Sequence, residues 1–161
     1  MNTRISVTAL LLMSLSASLA SAQDPDAPPA YGSMQLTAGF RSDPTSIVVQ
    51  AGGAESALSV AENCHGLVSY QPSFNLDYAA EDHELFLSAA SDADALLLVR
   101  SPDGQWHCND DASGENVNPG LRFSEPLSGV YNIWVGAVGY GVGFEPAMLH
   151  ISELGFSNEN M

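Results

Sequence analysis

The chain has 161 residues, of which 19 are acidic and only four basic, for a formal charge of −15 at pH 7. Phosphate backbones and anionic membranes repel such a surface, which argues against nucleic-acid and lipid partners and leaves cations and basic proteins open. The simplest account of the acidity is solubility outside the cytoplasm.

Residues 1–22 read as a signal peptide. Arg4 supplies a positive start, Ile5 to Leu19 are apolar with Ser and Thr as diluents, and Ala20-Ser21-Ala22 places small residues at the cleavage positions. Cleavage after Ala22 makes Gln23 the first mature residue. The apolar run is too short and too diluted for a membrane span, so no membrane insertion of the mature chain is expected. The mature part keeps three arginines against nineteen carboxylates, a formal −16. Its length suits one domain able to bury a core without a structural metal. Residues 23–30 (QDPDAPPA), Pro-rich and charged, read as a disordered leader before a domain over 31–161.

From there β-prone runs alternate with Gly, Pro, Asn and Asp at a spacing of about ten residues. The expected strands are 34–40, 45–51, 65–70, 73–78, 83–89, 95–100, 105–108, 121–124, 129–138 and 147–154. No segment keeps a helical apolar period for three turns; 54–62 could make one short helical turn. This is the spacing of an all-β sandwich or barrel. Leu96 to Val99 are continuously apolar, as in a central strand covered on both faces. Ser101-Pro102-Asp103-Gly104 has the residues of a type I turn and closes 95–100 onto 105–108. Asn118-Pro119-Gly120 has those of a type II turn.

Two cysteines, Cys64 and Cys108, form one expected disulfide in an oxidising compartment. His65 and His107 adjoin them, but neighbours on a strand point to opposite faces, so a Cys/His metal centre is the weaker reading. If the strands from 83 onward run up and down in succession, connections 90–94, 109–120 and 139–146 emerge at one pole. They carry Asp92, Asp94, Asn109, Asp110, Asp111, Glu115, Asn118 and Glu145. Hard Ca²⁺ needs six to eight oxygens from flexible loops, which makes Asp92, Asp94, Asn109, Asp110 and Asp111 the candidate calcium ligands. The competing reading is that Asn and Asp shape their own turns.

The stretch DADALLLVRSPDGQWHCNDDASGENVNPGLRFSEPLSGVYNIWVGAV, followed by PAMLHISEL, resembles the bacterial pre-peptidase C-terminal domain, clearest over 77–154. The resemblance rests on PDG at 102–104, NDD at 109–111, NPG at 118–120 and SGVYNIWVG at 128–136. It implies a jelly-roll-like antiparallel β-sandwich and a non-catalytic module, commonly appended to exported enzymes, of which some relatives bind calcium. A stand-alone exported domain, with no enzyme ahead of the module, is expected.

No nucleophile motif is present: there is no G-x-S-x-G, no Gly-Asp-Ser-Gly and no H-E-x-x-H. His65, His83, His107 and His150 fall in or beside expected strands. Serines are so frequent that a Ser/His/Asp set can be drawn almost anywhere. Trp106 and Trp134 are expected in the core or lining a groove. The sequence therefore points to an exported binding or stabilising module, periplasmic or secreted, with a protein or polysaccharide partner outside the cytoplasm. A secreted, peptidase-like hydrolase with an unrecognised site is the alternative.

Overall fold

The computed structural model describes residues 22–111, 118–139 and 143–156. The signal segment up to Ser21, and Glu115 of the expected acidic pole, lie outside the described residues. Eleven strands follow in order: β1 (Ser33–Thr37), β2 (Thr45–Ala51), β3 (Glu55–Ser56), β4 (Leu67–Val68), β5 (Phe74–Ala79), β6 (Leu85–Ser91), β7 (Ala95–Arg100), β8 (Trp106–Asn109), β9 (Gly120–Phe123), β10 (Gly129–Ala137) and β11 (Glu145–Ser152). A single 3₁₀ turn, Ala57–Ser59, sits inside the stretch expected to make one helical turn. Among the described residues no helix is long and apolar enough to cross a membrane.

The strands form two sheets of an all-β sandwich. One runs β2-β11-β6-β9; the other has β10 as its spine, joined to β5, β4 and β7, with β1 beyond β5, β3 beyond β4 and β8 beyond β7. Every pairing is antiparallel except β1 with β5. Successive strands do not run up and down beside one another as the sequence reading supposed. From β5 onward most connections cross between sheets, so that most consecutive strands lie in opposite layers of the sandwich.

Alternation along β7 and β10 explains their continuous apolarity. Leu97, Val99, Tyr131, Ile133 and Val135 point between the sheets into the main core with Val49, Leu76, Leu87, Leu149 and Ile151. Leu96, Leu98 and Trp134 point the other way, into a second core with Ala57, Cys64 and Val68. That outer core is roofed by the 55–68 segment. The roof can lie flat because Gly136 has no side chain: a Cβ there would fall 2.7 Å from Leu67 O and 2.8 Å from Leu96 Cγ. Cys64 and Cys108 are bonded, with Cα atoms 5.8 Å apart, and tie the roof to β8.

Two local expectations change. Residues 23–30 are not a loose leader: Asp24 N–H donates to Tyr70 O, Ala30 N–H to Pro72 O, and Asn132 Nδ2 to Pro25 O. Gln23 is 1% exposed, its amide donating to Ser56 O and accepting from Ser59 Oγ. Composition misled because prolines that lack an N–H still suit an extended strap whose remaining groups bond to a neighbouring segment. Gly120 also does not take the positive φ of a type II turn; it opens β9. A Cβ there would meet the Phe156 ring at 2.7 Å, so close approach, not turn geometry, is what calls for glycine.

Candidate binding site

Any chemistry would sit on the polar clusters. Ser101, His107 and Asp103 converge at the β7–β8 hairpin. Ser101 Oγ lies 2.6 Å from Asp103 Oδ1 and 3.0 Å from His107 Nε2. The shorter contact takes the hydroxyl proton, so Oγ accepts from the Nε2–H of a neutral imidazole. Burial holds His107 below the ordinary histidine range, with the Asp103 charge opposing. A hydrolytic triad needs the imidazole between serine and carboxylate. Here the serine stands between them, and it is only 4% exposed. The cluster clasps the hairpin, together with the Gly104 N–H bond to Ser101 O at 2.8 Å.

The loops of the expected acidic pole follow strands that end near one level, although most of the connections cross between sheets. Ala147 faces Ser91 across β11–β6, Leu97 faces Asn109 across β7–β8, and Ala137 faces Ala95 across β10–β7, so the ends of β6, β8 and β10 share one level. Asp92, Asp94 and Asp111 are exposed. Partial desolvation, and then the charges of Asp111 and Asp110, push the Asp94 carboxyl up. The asparagines face the backbone: Asn109 Oδ1 accepts from Gly120 N–H and Asn118 Oδ1 from Ser91 N–H. Among the described residues no group of three or more His, Cys, Asp or Glu side chains is arranged to hold a metal ion.

A concave site that sequence reasoning missed lies where the two sheets meet. A groove of about 350 Å³ is lined from the first sheet's side by Gln50 and Phe144 and from the other by Tyr31, Glu55, Tyr70 and Gln71. Three of its lining residues are large exposed rings: Tyr31 at 37%, Tyr70 at 51% and Phe144 at 58%. The docked strap builds its wall. Tyr31 N–H donates to Ser73 O, and Tyr70 Oη–H donates to Asp24 Oδ2 at 2.9 Å, which pushes the phenol pKa up. Tyr31 Oη reaches Gln50 Oε1 at 3.4 Å. No local motif marks this groove, because its residues come from five separate segments.

Comparison with known proteins adds little to this geometry. No protein-family description matches the chain. No curated protein matches it either. Among solved structures, it is similar to the Aeromonas hydrophila PliG, a periplasmic lysozyme inhibitor of g-type lysozyme, at 14% identity and a TM-score of 0.39, over 75% of this chain and 96% of that one. The sandwich is read from this chain's own sheets, and a likeness at that level assigns it no partner.

Proposed function

We propose that the chain is an exported, non-catalytic binding module of the pre-peptidase C-terminal type, and that its ligand occupies the groove at the sheet seam. The observation that carries this reading is the groove itself, where three exposed aromatic rings are gathered at a concave opening beside amide and carboxylate groups. Exposed rings at a concave site mark binding surfaces, since each otherwise leaves apolar area in water. The family reading rests on the sequence resemblance, whose PDG lies in the β7–β8 hairpin, NPG at the start of β9 and GVYNIWVG in β10. A non-catalytic role is supported by the order of the Ser101 cluster.

The test is retention of an extracellular protein or polysaccharide by the mature domain, compared with the double variant Tyr70→Ala, Phe144→Ala. Both side chains are exposed, so the variant should melt within a few degrees of the parent while retention is lost. Equal retention by both proteins removes the groove from the reading. Peptidase activity that disappears in Ser101→Ala would move the chain to the hydrolase alternative. Weak calcium uptake at the loops carrying Asp92, Asp94, Asn109, Asp110 and Asp111 is a separate component of the proposal, which rests on the carboxylates these two loops carry.

A further inference from the structure

We propose that the seam groove receives a cationic side chain, an arginine or lysine of a basic partner protein, between the rings of Tyr31, Tyr70 and Phe144 and beside the Glu55 carboxylate. The inference rests on the groove being the binding site and names what enters it.

Size is the first argument. About 350 Å³ is at the small end of ligand pockets, room for one long side chain or one small unit, not for a folded surface. Charge is the second. Among the described residues the Glu55 carboxylate has no hydrogen-bond or ion-pair partner, although it lines the groove with the three rings. No arginine lines this groove. Arg122 is paired with Glu84, Arg41 lines a different cleft between β1 and β2, and Arg100 reaches toward Gly104. Beyond the three arginines, the cations of a mature chain without lysine are its histidines and the α-amino group that cleavage leaves on Gln23, and none of these residues lines the groove. The field at this opening is therefore left for a ligand to neutralise.

The rings supply the third argument. Aromatic faces are negative and attract cations, with a contribution of about 0.5–2 kcal/mol that grows as water is excluded. Tyr70 is reinforced, because a phenol donating its proton toward the Asp24 carboxylate has a more electron-rich ring. A neutral saccharide would also stack on such rings and donate hydroxyl hydrogen bonds to Glu55, but it would gain nothing from long-range steering by a −16 surface, which acts on a cation alone. The charge pattern therefore favours the cation.

The experiment titrates the isotopically labelled mature domain with an acetylated, amidated Gly/Arg hexapeptide. The same peptide carrying citrulline, a neutral isostere, is titrated in parallel, as is a neutral cello-oligosaccharide. Binding is followed by the resonances of Tyr31, Tyr70 and Phe144. The expected result is shifts confined to the groove with the arginine peptide. Affinity should fall at least tenfold with citrulline and at least fivefold in Glu55→Gln, and should be unchanged in the double variant Asp110→Asn, Asp111→Asn. Equal affinity for arginine and citrulline peptides overturns the inference. So does arginine binding that is indifferent to Glu55→Gln and Tyr70→Ala, which would be a diffuse acidic surface. Groove shifts with the oligosaccharide alone overturn the cation and leave the groove standing. Silence of the groove with every probe overturns both. Glu55→Gln is isosteric on a short strand, and an unchanged melting temperature shows that a lost signal is not lost folding.

Discussion

Trp134 stands on the outer face of β10, fully buried and 5.2 Å from the Trp106 ring, with Leu96, Leu98 and the Cys64–Cys108 bond around it. Trp134→Ala should cost about 3–5 kcal/mol, read as a lower midpoint in chemical denaturation. Its Nε1 is buried with no partner among the described residues. Trp134→Phe therefore forfeits no hydrogen bond and should cost clearly less. His107 gives a pH signature. Its folded pKa lies below the ordinary value, so between there and about 6.5 the unfolded chain binds the extra proton. Stability is then fully present above about pH 6.5 and declines as pH falls toward the folded pKa. Melting scans from pH 7.5 to 5.5 should show that decline, and His107→Gln should flatten part of it. Both tryptophans and the tight hairpin were legible residue by residue, since alternation and turn chemistry are local. The clasp of Ser101, Asp103 and His107 was not, because which serine meets which histidine depends on hairpin register.

At the scale of elements, the 55–68 roof adds little regular structure of its own: a two-residue strand, one 3₁₀ turn and another two-residue strand. What holds it is burial of Ala57, Cys64 and Val68 against β7 and β10, and the disulfide to β8. With a sequence separation of 44, the bond should contribute about 4 kcal/mol in the chain-entropy model. Cys64→Ser with Cys108→Ser should lower the denaturation midpoint accordingly. It should also weaken the near-ultraviolet dichroism of the tryptophan pair, whose roof is released. Gly136→Val should do comparable damage with the disulfide intact, by pushing its side chain into Leu67 O and Leu96. The existence of most strands was legible in the sequence to within a few residues. Strand β3 was not, because a two-residue strand carries no period, while β4 falls inside the expected 65–70 run; the strap at 23–30 looked disordered because composition ignores what a neighbouring sheet offers.

For the whole molecule, charge is the dominant property, and calcium is the cleanest probe of it. A cation held at the pole would stabilise the native state by mass action, by about 2.7 kcal/mol at a hundredfold excess over Kd. Millimolar CaCl₂ should then raise the melting temperature beyond NaCl of matched ionic strength, and Asp110→Asn with Asp111→Asn should remove the difference. Equal shifts with both salts mean screening alone. The expectation that the 101–104 hairpin returns residues 109–111 to the level of 90–94 meets a register in which Asn109 faces Leu97, three residues from Asp94. By itself the sequence determined the all-β class, the strand spacing, the cysteine pair and the acidity, because alternation, turn residues and charge are properties of neighbours along the chain. Tertiary structure alone decided which sheet each strand entered, that β7 and β10 separate two cores, and that Tyr31, Glu55, Tyr70 and Phe144 border one groove. Those facts depend on contacts between residues far apart in sequence, and such contacts are selected by the burial of the whole molecule, not by any local pattern.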